Sequence, residues 1–168
     1  MKKFKEILSY VIIIVAIVLF RTFIATPVIV DGDSMLPNLK DNQVMILYKL
    51  PKELKRFDIV VVEHKVKDKK ENLVKRIIGL PGEDVEYKNN KLYINDKEVE
   101  EDFIDVKTND FNLASLGYLE IPDNYYFVVG DNRGDSLDSR VLGIIPKEEI
   151  EGKIIFSLFP FNTFGVIK

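Results

Sequence analysis

The apolar segment near the N-terminus is the feature that most constrains how this chain can fold. Residues 7–25 are almost continuously apolar, with Arg21 near their end, and Lys2, Lys3 and Lys5 precede them. A helix of about 19 residues would be roughly 28 Å long, which matches the hydrocarbon core of a bilayer. Because the run is apolar on all faces, a half-buried helix of a soluble domain is disfavoured. The segment predicts a transmembrane helix, with Arg21 reaching back to the lipid headgroups.

The same segment also fits the basic and apolar regions of a cleaved signal peptide. A cleavage site needs an A-x-A-like pattern, and a cut after Ala25 would place the bulky Phe23 where a small residue is needed. We therefore favour an uncleaved anchor over residues 7–25. The lysines predict that residues 1–6 are cytoplasmic. Residues 26–168 would then form an extracytoplasmic domain of a single-pass cell-membrane protein, beside the lipid bilayer.

The chain after Pro27 changes to short β-branched runs with a period of two, which predicts strands. We expect a mainly β domain of coiled antiparallel sheets, in which about residues 84–125 form a hairpin and loop subdomain. Two asparagine-rich dipeptides, at 89–90 and 95–96, are typical of tight hairpin turns. The predicted strands are Gln43–Tyr48, Asp58–His64, Asn72–Ile78, Asp84–Tyr87, Lys91–Ile94, Tyr126–Val129 and Lys153–Leu158.

Three further segments carry weaker predictions. Pro51–Leu54 and Pro146–Ile150 are each expected to form a single helical turn, because proline suits the first helical position. Residues 100–117 lack clear periodicity and predict an extended loop or a small subdomain.

The composition argues against several classes of function. A net charge of −3 disfavours a dedicated nucleic-acid binder, so we expect no nucleic-acid partner. The chain has no cysteine and one histidine, which removes disulfides and thiolate metal sites and makes a zinc site improbable. We expect no metal and no cofactor.

Ser34 lies in the sequence DGDSMLPNL, residues 31–39, and has two interpretations. Serines in stretches rich in glycine, aspartate and proline mostly form turns, because their side chains bond the local backbone. As a nucleophile, Ser34 would need a base and an oxyanion site. The single histidine, His64, ends a valine-rich run and precedes the polar sequence KVKDKK, which is typical of a solvated strand end.

A neutral lysine is the alternative base. The ordinary lysine pKa of about 10.4 makes it a poor base near neutral pH unless burial lowers that value. Lys75 lies in an apolar run, and on a strand it would share a face with Leu73 and Ile77. The competing interpretation is an edge-strand lysine that prevents aggregation, and the pattern alone leaves both open.

A third polar segment, residues 128–143, reads VVGDNRGDSLDSRVLG. Its aspartates, including Asp131 and Asp138, invite comparison with a calcium loop. No glutamate closes an EF-hand pattern, and Arg133 and Arg140 would repel a cation. An internally paired polar loop is the better interpretation.

Four segments, in this order behind the apolar N-terminus, together resemble the bacterial type I signal peptidases of the small, single-span type. They are VDGDSMLPNL (30–39), RFDIVVV (56–62), VKRIIGLPGEDVEYKNNKLYINDKEV (74–99) and GDNRGDSLDSRVLG (130–143). The resemblance extends over about residues 5–160. Three residues depart from the usual pattern: Asn38 stands where threonine is usual, Phe57 where glycine is usual, and Asp135 where asparagine is common.

The resemblance implies a serine/lysine peptidase. Ser34 would be the nucleophile, and Lys75 the general base that later protonates the leaving amine. Ser136 would hydrogen-bond Lys75 and orient it. The oxyanion would be bound by main-chain groups, at Ser34 and at Gly32, where some relatives carry a serine. The implied supporting residues are Asp138, Arg140, Arg76 and Asp131, and the residues placed along the substrate pockets are Ile29, Val30, Met35 and Val74.

The implied function is a membrane-bound serine endopeptidase that removes signal peptides from exported preproteins through an acyl-enzyme. Its partners would be signal peptides and the bilayer, with the protein export channel as a further candidate and the oligomeric state open. A catalytically inactive, membrane-anchored binding domain of the same fold is the alternative. An autocleaving repressor is disfavoured because the chain has no basic helix-turn-helix, and a histidine-using relative because Lys75 stands at the lysine position.

Overall fold

The computed structural model describes residues 2–66 and 69–167. Helix α1 runs from Lys2 to Phe23 and is exposed along its length. It is long and apolar enough to cross a membrane, by length and composition. The helix ends at Phe23 rather than at Ala25, because Ala25 already begins the first strand.

The remaining residues are mainly strands, as predicted. The strands are β1 (Ala25–Ile29), β2 (Val44–Tyr48), β3 (Ile59–Val66), β4 (Lys69–Gly79), β5 (Val85–Lys88), β6 (Lys91–Ile94), β7 (Lys97–Val99), β8 (Phe111–Asn112), β9 (Tyr125–Val129), β10 (Ile145–Pro146), β11 (Ile150–Phe159) and β12 (Gly165–Val166). Short 3-10 turns at Leu113–Leu116, Lys147–Glu149 and Phe161–Thr163 and a one-turn helix, α2 (Ser139–Leu142), complete the elements.

The strands form two antiparallel sheets. The larger sheet has the order β1-β2-β11-β3-β4-β9-β10, with β12 also pairing with β11. The smaller sheet has the order β7-β6-β5-β8 and lies within residues 84–125. Both of its hairpins turn at the predicted dipeptides, where Asn89, Asn90, Asn95 and Asp96 all adopt positive φ. Two successive residues with positive φ match the twist of the flanking strands.

All seven predicted strands overlap observed ones, and five short strands were not predicted. β1 was missed because Pro27 lies within it, and proline is tolerated in a strand only at a sheet edge or bulge, such as the edge that β1 forms. The others, β7, β8, β10 and β12, have two or three residues each and carry no periodicity. The helical turn predicted at Pro51–Leu54 is wrong, since that segment is irregular, whereas a 3-10 turn lies within Pro146–Ile150.

Two apolar clusters hold the elements that carry the polar segments. One lies beneath residues 30–39 and consists of Val30, Met35, Leu39, Met45, Leu47, Ile59, Val61 and Ile154, with Val74 packed against it. The other joins the smaller sheet to β9 and β4 and consists of Ile78, Val85, Tyr87, Leu92, Ile94, Leu113, Ile121, Phe127 and Val129. The polar segments around Ser34, Lys75 and Asp131 therefore rest on a rigid base.

Candidate active site

The loop that carries Ser34 is fixed from below by its own apolar residues. Met35 and Leu39 are fully buried in the cluster beneath the loop. The loop backbone turns tightly, with the Leu36 N–H donating to the Asp33 carbonyl at 3.1 Å. Ser34 itself stays partly exposed, and its hydroxyl faces a side chain from the middle of β4.

The side chain that meets this hydroxyl is Lys75. Its Nζ lies 2.7 Å from Ser34 Oγ, to which it donates, and it also donates to the Val74 carbonyl at 3.0 Å. Lys75 is only 3% exposed, and it pairs with Val60 on β3, whereas the pairing of β4 with β9 begins at Arg76. Because its side chain is buried, the interpretation of Lys75 as a solvent-facing lysine that prevents aggregation is wrong. Of the two bases considered from the sequence, the structure brings the lysine to the serine.

Burial lowers the pKa of Lys75 to about 8, against the opposing charges of Asp138 and Asp131. Removing an ammonium from water disfavours its charged form, and here that penalty outweighs both carboxylates. With this pKa, about one tenth of the lysine side chains would be neutral at pH 7, and half at pH 8. A neutral amine at 2.7 Å from the hydroxyl can accept its proton.

Asp138 and Arg140 form a closed pair on the polar loop after β9. Asp138 caps α2, and its two carboxylate oxygens accept from Arg140 Nε at 2.9 Å and Nη2 at 2.8 Å. The Gly130 N–H also donates to this carboxylate, at 3.0 Å. Burial opposes ionisation of Asp138, but the Arg140 hydrogen bonds and charge outweigh it and hold the pKa of Asp138 below its usual value. The loop is therefore internally paired, as the sequence indicated.

Arg76 and Asp131 form a second, fully buried pair. Arg76 donates to both Asp131 oxygens, from Nε at 2.8 Å and from Nη2 at 2.6 Å, and neither side chain is more than 2% exposed. Asn38 Nδ2 adds a third hydrogen bond to Asp131, at 2.8 Å. This contact ties the serine loop to the pair, which explains how asparagine works at a position where the resemblance led us to expect threonine.

The expected hydrogen bond between Ser136 and Lys75 is not formed. Ser136 Oγ is buried with no hydrogen bond of ordinary geometry among the described residues, although it lies near enough to Asp138 to help lower the pKa of that carboxyl. The Lys75 donors go instead to Ser34 and Val74. Ser136 nevertheless lies beside the nucleophile's loop, because a Cβ on Gly130 would collide with both the Ser136 side chain and the Ser34 carbonyl oxygen.

The two main-chain N–H groups expected to bind the oxyanion, those of Gly32 and Ser34, differ in whether they are already hydrogen-bonded. The Gly32 N–H donates to the Asp41 carboxylate at 2.9 Å, so it is engaged elsewhere. The Ser34 N–H has no partner among the described residues, and the Ser34 carbonyl accepts from the Asn132 N–H at 3.0 Å. Only the Ser34 N–H remains available from the expected pair. The contribution of Asn132 was missed, and no sequence signal beyond its place in the polar loop points to it.

The four residues placed along the substrate pockets do not all come together. Val30, Met35 and Val74 share the cluster beneath the serine loop, but Val30 and Met35 are fully buried there. These two side chains pack beneath Ser34 and do not present a surface that a substrate could contact. Ile29 is 66% exposed and lies outside this cluster.

His64 lies away from the serine. Its Nδ1 contacts Glu149 Oε2 at 2.5 Å. On β3, His64 stands four residues beyond Val60, the residue that pairs with Lys75, which places it about 13 Å along the strand. The histidine is therefore remote from Ser34, but it does not end its strand as predicted, because β3 continues to Val66 and pairs with β4 over that length.

Phe57 shows why glycine is usual at its position. Its φ is +70°, a region that favours glycine and is strained for an aromatic residue. Its carbonyl accepts from Arg76 Nη1 at 2.9 Å, and its ring packs edge-on against Phe103 at 4.9 Å. The Arg76 guanidinium in turn lies 4.0 Å from the centre of the Phe103 ring. The Phe57 ring thus packs towards the site through Phe103.

Comparison with known proteins agrees with this geometry. The family model described as signal peptidase, peptidase S26, matches residues 3–159. A signal peptidase I of Bacillus amyloliquefaciens is 42% identical over 95% of this chain and 90% of its own length, and signal peptidase I S of Bacillus subtilis is 42% identical over 95% and 93%. A crystal structure of a signal peptidase I from Enterococcus faecalis superimposes with a TM-score of 0.54 at 36% identity, over 60% of this chain and 96% of that one.

The chain therefore belongs to the signal peptidase family, peptidase S26, and is an enzyme of the signal peptidase I type. The resemblance drawn from the four segments is confirmed. The mainly β fold behind an apolar N-terminal helix is confirmed as well.

Proposed function

We propose that this chain removes N-terminal signal peptides from exported preproteins, cutting after a small residue with Ser34 and Lys75 as a catalytic dyad. The observation that carries the proposal is the 2.7 Å hydrogen bond between the buried Lys75 Nζ and Ser34 Oγ. A serine hydroxyl is weak until an adjacent base activates it. Lys75 is the only base within hydrogen-bond distance of Ser34 among the described residues.

The proposed reaction begins with Lys75 in its neutral form. Its Nζ takes the proton from Ser34 Oγ while Oγ attacks the scissile carbonyl carbon. The carbonyl oxygen becomes an oxyanion, next to the Ser34 N–H, which has no partner in the part of the chain that the structure describes. The Lys75 ammonium then gives its proton to the leaving amine as the C–N bond breaks. Water, deprotonated by Lys75, hydrolyses the resulting ester and restores Ser34.

The surroundings of the dyad favour this cycle. Lys75 must be neutral at the start, and burial provides this by lowering its pKa to about 8. The carboxylates of Asp131 and Asp138 stabilise the ammonium that forms during attack, and Arg76 and Arg140 limit their effect on the resting state. The site thus balances the two protonation states rather than favouring either strongly.

The N-terminal helix would hold this site beside the bilayer. Strand β1 follows α1 directly, and the Lys49 N–H donates to the Ile24 carbonyl at 2.9 Å, which ties the helix end to the sheet. We propose a cytoplasmic N-terminus and an extracytoplasmic catalytic domain, because the lysines precede the helix. Tethering enzyme and precursor to one membrane raises their effective concentration. The protein export channel is a further proposed partner.

The test is cleavage of a preprotein that carries an A-x-A site by the full chain in detergent, with the cut located by mass spectrometry. We expect a cut after the final alanine of that site, abolished by Ser34→Ala and by Lys75→Ala. Matched controls are Ser115→Ala and Lys70→Ala, both at exposed residues, the second on the same strand as Lys75. Activity that survives Lys75→Ala would overturn the dyad. No cut by the unaltered chain on several preproteins would favour the inactive binding domain.

A further inference from the structure

The segment of residues 101–108 reaches the polar loop of the active site through one buried arginine. Arg133 is 3% exposed, and Glu101 accepts two hydrogen bonds from it, at 2.6 Å from Nη2 and at 3.1 Å from Nη1. Nothing in the dyad chemistry uses Arg133 or Glu101. The sequence predicted only an extended loop or small subdomain here.

One nitrogen of the guanidinium, Nη1, also binds two further groups that lie outside the polar loop. Nη1 donates to the Tyr87 hydroxyl and to Thr108 Oγ1, each at 3.0 Å. Tyr87 comes from the smaller sheet, and its hydroxyl donates to Glu101 Oε1 at 3.1 Å. Among the described residues, Glu101 is the only carboxylate paired with Arg133. The smaller sheet and its following segment therefore hold this arginine in place.

Arg133 in turn holds the loop that faces the dyad. Its Nε donates to the Gly130 carbonyl at 3.1 Å, and its own carbonyl accepts from Arg140 Nη1 at 2.9 Å. Arg140 and the Gly130 N–H are the groups that bind the Asp138 carboxylate. A continuous set of hydrogen bonds thus runs from Glu101 to the carboxylate beside Lys75.

We propose that Glu101 is a positioning residue for the Ser34/Lys75 site, acting through Arg133 to hold the loop of residues 130–140 closed over Lys75. The inference rests on the proposed function, because it assigns Glu101 a role in the protonation of the proposed base. Glu101 touches neither of the two reacting side chains.

Loss of the Glu101 contact should change the pKa of Lys75, the proposed base. Lys75 is faced by the Ser34 hydroxyl, by the carboxylates of Asp138 and Asp131, and by the apolar Val60 across on β3. Burial is the largest influence on its pKa and lowers it. A loosened loop would admit water and move the carboxylates away. Entry of water raises the pKa of Lys75, whereas loss of the nearby carboxylates lowers it. The rise should dominate, because burial is the larger influence on this pKa.

The experiment compares Glu101→Gln with Glu98→Gln in the full chain in detergent, measuring kcat and KM against pH on one preprotein. Glu98 pairs with Lys91 on the surface of the same small sheet, so it is a matched control. We expect Glu101→Gln to move the acid limb of kcat upward by about half a pH unit, a threefold loss at pH 7 that is regained at high pH. The KM of Glu101→Gln should stay within twofold of that of the unaltered chain. The kcat values of Glu98→Gln should stay within twofold of those of the unaltered chain at every pH.

A purely structural role predicts a different result. Activity would then fall in proportion to the folded fraction at every pH, with the midpoint unchanged, and the inference would be overturned. If Glu101→Gln does not fold, Tyr87→Phe decides, because it removes one hydroxyl and keeps the Glu101–Arg133 ion pair. It should move the midpoint in the same direction by less, and an unchanged midpoint would overturn the inference.

Parallel variants separate the two proposals. Ser34→Ala and Lys75→Ala test the dyad, and their retained activity would contradict the proposed function. If both are inactive and the Glu101→Gln midpoint equals that of the unaltered chain, only the positioning role fails.

Discussion

Replacing Asp131 by asparagine should make the protein less stable while making the proposed base, Lys75, effective at lower pH. Asp131 accepts two of the three hydrogen bonds that the Arg76 side chain donates, and both side chains are fully buried. Asparagine keeps the size but removes the charge, and its NH2 group faces one guanidinium donor. Removing one partner of a buried ion pair costs about 3–5 kcal/mol, because the other charge stays out of water.

The stability effect is large enough to measure by thermal unfolding in detergent. For a domain of about 150 residues, each kcal/mol lowers the Tm by about 2–4 °C, so Asp131→Asn should lower it by roughly 6–20 °C. The control is Asp135→Asn, in the same loop but exposed, which should leave the Tm within about 1 °C.

The same variant has an opposite effect on the proposed base. The negative charge of Asp131 raises the pKa of Lys75, so its removal should lower that pKa from about 8. The acid limb of the cleavage profile should therefore move to lower pH, if the loop keeps its place. A Tm equal to that of the unaltered chain would refute the assignment of a buried ion pair. An acid limb that moves to higher pH would refute the electrostatic argument.

Three further predictions concern stability. The pKa of Lys75 is about 8 in the folded protein and 10.5 in the unfolded chain, so unfolding takes up a proton between these two pH values. The free energy of unfolding should therefore rise by about 3 kcal/mol from pH 8 to pH 10.5. Urea titration at several pH values should find a smaller rise in Lys75→Met. Ser136→Ala should leave the Tm within about 2 °C, since the Ser136 hydroxyl has no hydrogen bond of ordinary geometry among the described residues and contributes least of the groups that favour the charged Asp138 carboxylate. Phe57 has a φ of +70°, which glycine adopts without strain and alanine does not. Both Phe57→Gly and Phe57→Ala lose the ring, but urea unfolding should find the glycine variant more stable by about 1 kcal/mol. Equal stability of the two variants would argue against backbone strain at this position.

The longer elements of the fold could be predicted because their signals are local. The N-terminal apolar run, the β-branched strands and the asparagine turns each follow from a few neighbouring residues. The residues at which elements end were harder to predict from the sequence. Helix α1, for example, stops at Phe23 because β1 pairs with β2 from Ala25 onward. That pairing depends on residues far along the chain.

The dyad could be predicted as residue types but not as a contact. Lys75 was equally compatible with a solvent-facing lysine at a sheet edge until the structure showed its side chain buried against Ser34. The hydrogen bond expected at Ser136 failed because side-chain direction depends on local packing that spacing does not report. Arg133 was noticed only as a charge that would repel a cation, because its partners Glu101 and Tyr87 come from a different sheet.

The most direct test of the dyad is the titration of Lys75 itself. Nitrogen-15 labelling of lysines, with the Lys75 signal assigned by comparison with Lys75→Met, allows its pKa to be read by NMR in the Ser34→Ala protein in detergent. We expect a Lys75 midpoint near 8, well below the ordinary value of 10.5, because the side chain is buried. A Lys75 midpoint near 10.5 would show an exposed, protonated lysine and would contradict its role as the base.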